Sequence, residues 1–352
     1  MSRRDFTLGL PGLAIGVVAG ALCSLIGTPI PWMLGPLFAL AILRVGGLPL
    51  AAIPGGRQTG QWIIGTSLGL YFTSQVVREV AGWWPLLAAG AAFAIALGYG
   101  SGLVLARLAG IDRTTAIFAS VPGGAAEMSV LGDRFGARAD RVAAAQSLRI
   151  LIVVAIIPAG YAMLGLHGTD RYIPGMLTFE PPGFALLMAA TLAGGFIAQR
   201  FALPNAFVLG ALAVAIPITA FDVHLSAMPQ VASNAGQCLL GCALGVRFQP
   251  DFLRGAHRFV TAVAGSVLVS IALSAAFAGA LAWAFHLNPA TLILGAAPGG
   301  IAEMCITAKV LQLGVPLVTA FHVTRLVVLL LITAPLFAHL RGWRESSRTK
   351  RP

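Results

Sequence analysis

Charged side chains are scarce in this sequence. Only 10% of its 352 residues are Asp, Glu, Lys or Arg, and 12 acidic residues stand against 23 basic ones. Soluble globular domains carry about a quarter of their residues as charges, so that class is excluded. Cysteines number four (Cys23, Cys238, Cys242, Cys305), all in apolar stretches, which suits buried thiols. Cys238 and Cys242 share one helix face but have no His or acidic neighbour, and a structural metal site needs four ligands. The six histidines are spread through the chain without paired spacing, whereas a copper or iron site needs clustered nitrogen ligands. No nucleotide-binding motif is present, no cofactor is implied, and no constellation of catalytic residues points to an enzyme. The basic residues, one to three per loop, form no stripe interleaved with aromatics, so the net charge of +11 does not imply a nucleic-acid partner.

What the chain has in excess is apolar surface. It is 58% hydrophobic, with a mean hydropathy of +0.87. Apolar runs of spanning length recur at Leu8–Gly27, Val80–Ala106, Leu148–Leu164, Phe184–Ala198, Phe259–Phe285 and Val315–Leu336. These runs predict an all-α polytopic membrane protein whose first partner is the lipid bilayer. The segment after Ser2-Arg3-Arg4 is followed by further spans and reads as a first transmembrane helix rather than a cleaved signal peptide. Pro31-Trp32 and Trp83-Trp84 suit interfacial anchors at helix ends.

The chain is also duplicated. PGGAAEM (Pro122–Met128) returns as PGGIAEM (Pro298–Met304), 176 residues later. At the same offset Gly60-Gln61, Gly65 and Leu68-Gly69 match Gly236-Gln237, Gly241 and Leu244-Gly245, and Arg149 matches Arg325. Residues 10–165 and 185–340 are therefore two copies of one unit, which is duplication rather than a solenoid. Residues 1–9 precede them, a comparatively polar connector at 166–184 joins them, and a charged tail at 341–352 follows.

Each copy offers six hydrophobic segments, and parity decides their relation. If the Pro-Gly-Gly segment does not cross and the N-terminus is cytoplasmic, only Arg78, Arg171 and Lys309 fall outside. Arg149 and Arg325 then lie within spans, and the other basic residues, Arg57, Arg247 and Arg254 among them, fall inside. If all six segments cross, Arg134, Arg138, Arg141, Arg200, Arg247, Arg254 and Arg258 move outside. The positive-inside rule favours the first arrangement: inverted repeats of about five crossings each, broken or re-entrant at Pro-Gly-Gly, with both termini cytoplasmic. A motif segment that crosses with a break, while Gly60–Phe72 falls short, also keeps the inversion.

The motif itself predicts a site. Proline and paired glycines end one half-helix and start another. The new N-terminus presents unpaired amides and a partial positive charge suited to an anion. Glu127 and Glu303 follow within a turn, placed either to cap their own half-helix or to bind H⁺ or Na⁺. Arg149 and Arg325, each 22 residues after its Glu, are the natural partners. They would serve as ion pairs pinning the fold, or as guanidinium forks for a substrate carboxylate. The candidate substrate and coupling-ion residues are thus Pro122, Gly123, Gly124, Glu127, Arg149, Pro298, Gly299, Gly300, Glu303 and Arg325. Gln61 and Gln237, in Gly-rich helices, suit interhelical hydrogen bonding first and site lining second. His322, equivalent to Gln146, suits a packed histidine more than a proton relay.

With the duplicated PGGxAEM, the GQxxxGxxLG segment and the run Pro31-Trp-Met-Leu-Gly-Pro36, the chain resembles the bacterial AbrB-duplication membrane family over residues 10–340. That family is similar in fold to the cation/proton antiporter and anion transporter superfamily. The resemblance implies inverted repeats, broken helices and site residues at the two PGG-Glu motifs. The second copy departs from it with Ala206-Phe207 where the first has Pro31-Trp32. Family labels of transcriptional regulator and ammonia monooxygenase fit the residues poorly, since neither a DNA-reading surface nor metal ligands are present. The expectation is a bacterial cytoplasmic-membrane protein transporting a small organic anion or metabolite with H⁺ or Na⁺. A membrane sensor affecting gene expression indirectly is the alternative, a monooxygenase ranks last, and a homodimer is compatible with either.

Overall fold

The structure, a computed structural model, describes residues 3–168, 174–176, 178–248, 257–329 and 331–332, with the backbone alone at 3–6 and 125–127. Arg171, Arg254, the tail 341–352 and the Glu127 carboxylate lie outside the described residues.

All the regular structure described is helical. The first copy contributes α1 (Arg3–Leu25), α2 (Pro31–Val45), α3 (Gly56–Gly69), α4 (Ser74–Gly82), α5 (Trp84–Ala109), α6 (Arg113–Ser120), α7 (Ala125–Arg134) and α8 (Ala139–Met163). The second contributes α9 (Pro181–Arg200), α10 (Ala206–Ala220), α11 (Gln230–Gly245), α12 (His257–Phe285), α13 (Pro289–Ala296), α14 (Ile301–Val310) and α15 (Val315–Leu329). Helices α13 and α14 begin and end 176 residues after α6 and α7. Among the described residues α1, α5, α8, α9 and α12 are long and apolar enough to cross a membrane, while α2, α10 and α15 are shorter apolar helices.

The long helices turn apolar side chains outward and polar ones inward. Leu10, Val17, Val18 and Leu22 of α1, Leu186, Phe196 and Ile197 of α9, and Leu268, Val269 and Leu273 of α12 are exposed. Gln146, Arg149, Glu303, His322 and Arg325 are buried. Water would favour the reverse; hydrocarbon, which cannot hydrogen-bond, favours this.

The two Pro-Gly-Gly segments are hairpins of half-helices. Asp112 caps α6 by accepting the Thr115 amide at 2.7 Å, and Asn288 caps α13 by accepting the Ala290 amide at 2.9 Å. After each break the chain returns to its starting point. The Arg138 amide donates to Thr115 Oγ1 at 2.8 Å, and the Gly314 amide donates to Thr291 Oγ1 at 3.2 Å. Both ends of each segment therefore lie together, which overturns the alternative of a crossing with a break.

The helices assemble into two groups that each draw on both copies. In one, α2 packs along α11 and α10 along α3, with α1 and α9 flanking. Equivalent helices α3 and α11 cross at equivalent glycines: a Cβ on Gly60 would lie 2.7 Å from the Gly236 carbonyl. Small residues there let backbones approach where lipid supplies no hydrophobic drive. The second group sets the hairpins between α5, α8, α12 and α15, with α5 on α12.

Candidate functional site

A helix interrupted inside a bilayer leaves carbonyls that have neither an intrahelical donor nor water. At the first break these are Val121 and Gly123, and at the second Ala297 and Gly299. Arg149 donates through Nη1 to the Val121 carbonyl and through Nη2 to that of Gly123, both at 3.2 Å. Arg325 repeats the arrangement on Ala297 at 2.7 Å and Gly299 at 2.6 Å. The planar fork of arginine holds its donors in a fixed geometry that spans two carbonyls at once. Gln146 Nε2 adds bonds to Phe118 and Val121, each at 2.9 Å, and His322 Nε2 donates to the Leu294 carbonyl at 3.2 Å.

This corrects the expected ion pairing. Glu303 and Arg325, both buried, form no ion pair with each other. The guanidinium groups clamp the breaks instead. The Glu303 carboxylate folds back over Gly300, the residue that starts α14, where a Cβ would collide with it. That is a capping position, at the positive end of its own half-helix.

The hairpin tips meet at a cavity between the two helix groups. The hairpin group contributes Pro122, Gly123, Gly124, Arg149, Gly299, Gly300, Glu303, His322 and Arg325 to its lining. The other group contributes Arg57 and Gln61 from α3, Asn205 before α10, and Arg247 after α11. Asn205 Oδ1 accepts from Gln61 Nε2 at 2.9 Å and Arg57 Nη2 at 3.3 Å, tying α3 to the start of α10. Asn205 is held at φ 47°, a left-handed conformation that asparagine tolerates better than most residues. Four guanidinium groups and the Glu303 carboxylate thus line the cavity.

Most of the expected site residues converge there. Pro298 lies instead against a smaller cavity between α5 and α12, lined also by Ser101, Ser266 and Ser270 and sharing Pro122 and Arg149 with the first. Gln237 is buried in α11 and does not line the main cavity. Sequence reasoning missed Arg57, Asn205 and Arg247, having assigned the two arginines to loop charge. A signal was present for Arg57: it precedes Gln61 by four residues, one turn along the same helix face.

A family described as "Transition state regulatory protein AbrB" matches residues 13–341, a span that holds every residue of this cavity. The chain belongs to the AbrB family. Among AbrB-like relatives, YhjN of Bacillus subtilis (strain 168) is 27% identical over 96% of this chain and 95% of its own length. A protein of Escherichia coli (strain K12), whose name describes a regulator AbrB, is 25% identical over 93% of this chain and 92% of its own length. The AbrB match and the outward apolar helices together describe a helical, membrane-like protein.

Proposed function

We propose that this AbrB-family chain is a secondary transporter of a small organic anion in the bacterial cytoplasmic membrane, coupled to H⁺ or Na⁺ and working by alternating access. The observation that carries the reading is the cavity at the seam between the two helix groups, where residues of both helix breaks lie beside four arginines and Glu303. Sites of this kind, at the interface of inverted repeats with half-helix N-termini aimed at the substrate, are how broken-helix transporters bind anions. The repeats are read as inverted because equivalent helices α3 and α11 run in opposite directions. The start of α3 (Arg57) and the residue after α11 (Arg247) share the cavity, while Lys309 bridges the end of α3 to the start of α11. With α1, α2, α3, α5 and α8 crossing and the hairpin re-entering, each copy crosses five times. Both termini are then cytoplasmic, and the Arg57–Arg247 end of the cavity faces the cytoplasm.

In this mechanism an anion enters beside Arg57 and Arg247 and reaches the amides of the half-helices. Arg149 and Arg325 neutralise its charge while keeping the breaks intact. Glu303 supplies the coupling, since a carboxylate among arginines takes up a proton or Na⁺ more readily once an anion has offset their charge. No covalent step is assigned to the site. The test is uptake of a panel of radiolabelled carboxylates and phosphorylated metabolites into proteoliposomes, with and without imposed H⁺ or Na⁺ gradients. Gradient-driven uptake lost in Glu303→Gln and Arg57→Gln supports the proposal; no uptake of any anion by a chain that binds one refutes it. That second outcome would favour a membrane sensor, a reading encouraged by the regulator name of the Escherichia coli relative.

A further inference from the structure

The two copies make the same internal contacts but meet the rest of the molecule differently. Within the hairpins, Thr115 with Arg138 mirrors Thr291 with Gly314, and Arg149 on Val121 and Gly123 mirrors Arg325 on Ala297 and Gly299. Each hairpin is thus clamped at its tip and tied at its base, as a body that moves whole would be.

Outside them the symmetry is broken, and one of the breaks involves a partly buried cation. Lys309, in the last turn of α14, donates to Ser67 Oγ at 2.9 Å and Ser233 Oγ at 3.5 Å, and its Nζ lies 5.9 Å from the centre of the Tyr71 ring. Ser67 is at the far end of α3, about 15 Å along the helix from Arg57, Tyr71 follows just beyond that end, and Ser233 is in the first turn of α11. Lys309 therefore fastens the second hairpin to the other helix group at the end remote from Arg57 and Arg247. At the offset of 176 residues, Lys309 corresponds to Asp133, Ser233 to Arg57, Tyr71 to Arg247 and Ser67 to Ala243. Asp133, in the last turn of α7, is exposed, while Arg57 and Arg247 line the cavity.

We infer a second state of the chain, in which Asp133 docks onto Arg57 and Arg247 and closes the cavity there, as Lys309 leaves Ser67, Ser233 and Tyr71. Exchanging the conformations of the two copies produces this contact. None of the four positions keeps its residue between copies, yet the exchanged set is again complementary: an acid meets two guanidinium groups where a cation meets two hydroxyls and an aromatic face. Duplication alone does not require that. In the second state Glu127 takes the cavity position of Glu303, Gln237 that of Gln61, and Ile30 that of Asn205. Ile30 and Asn205 hold the same left-handed backbone, φ 49° and 47°. The inference rests on the alternating-access reading, and it identifies the contact that shuts the arginine-lined end.

The test is disulfide trapping in membranes, with Cys23, Cys238, Cys242 and Cys305 replaced by serine. One protein carries Asp133→Cys with Arg247→Cys, another Lys309→Cys with Ser233→Cys, and a third carries both pairs. Cross-linking requires Cα atoms within about 7 Å. Both single pairs are expected to cross-link several-fold above background, and closing the 309–233 pair first should suppress the 133–247 pair. A second measurement needs no cross-link: a lone Gln237→Cys, buried here, should be labelled by a polar thiol reagent. Asp133→Lys should slow that labelling several-fold and Asp133→Glu should not. The inference is overturned if the 309–233 pair closes while the 133–247 pair stays at background, or if Asp133→Lys leaves labelling unchanged. Both pairs closing in a protein that moves no solute would remove the transport reading and leave the two-state gate standing.

Discussion

Replacing Arg325 by glutamine separates a guanidinium that clamps the helix break from one that pairs with an acid. Arg325 donates at 2.7 and 2.6 Å to two carbonyls and is 6% exposed. Hydrogen bonds from a charged donor contribute about 1.5–3 kcal/mol each, so losing both removes roughly 3–6 kcal/mol. Deleting a desolvated charge returns several kcal/mol of that, and the shorter amide can keep one carbonyl satisfied. The net expectation is a loss of about 1–3 kcal/mol. Arg149→Gln should lose less, because its two bonds are longer at 3.2 Å. Denaturant titration of the protein in mild detergent, followed by tryptophan fluorescence, measures both. The deciding experiment is a double-mutant cycle with Glu303→Gln. A clamp predicts coupling below about 1 kcal/mol, whereas breaking one side of a buried ion pair gives about 3–5 kcal/mol, mostly recovered when both partners are gone. Strong coupling, or an Arg325→Gln protein as stable as the parent, would refute the clamp.

Gly60→Ala should destabilise the crossing of α3 with α11 by about 1–3 kcal/mol, since the added Cβ meets the Gly236 carbonyl at 2.7 Å and Leu240 at 2.9 Å; a thermal melt in detergent reads it. Thr291→Val keeps the shape but leaves the Gly314 amide unpaired, for an expected loss of about 1–3 kcal/mol, seen as faster hydrogen exchange at the base of the second hairpin. Single cysteines at Arg113 and Arg138, both exposed, should be labelled from the same side of the membrane; labelling from opposite sides would sink the hairpin. Asn205→Gly, which keeps the left-handed backbone, should lower anion affinity by freeing Arg57 and Gln61 from their shared acceptor, with a shift in ligand Kd of several-fold by calorimetry.

Much of the architecture was legible from local pattern. The offset of 176 residues anticipated that α13 and α14 would begin where α6 and α7 do, because half-helix ends are set by local signals: an Asp or Asn cap at one end and Pro-Gly-Gly at the other. Charge counting favoured motif segments that turn back, and each does return to its start, through Thr115 with Arg138 and Thr291 with Gly314. The convergence of both breaks with Arg149 and Arg325 also followed from their matched spacing.

What composition and spacing could not supply was which polar groups meet. Sequence distance suggested Arg325 for Glu303, but the helix break leaves two carbonyls without intrahelical donors, and these took the guanidinium. Arg57 and Arg247, 190 positions apart in the chain, share a cavity because α3 and α11 cross antiparallel at Gly60 and Gly236. The sequence by itself determined that the chain is helical, rich in long apolar segments, duplicated and interrupted at two points, since each of those follows from residue type and period. Only the tertiary structure decided the charge and shape of the cavity, because those depend on which ends of distant helices the glycine crossing brings together.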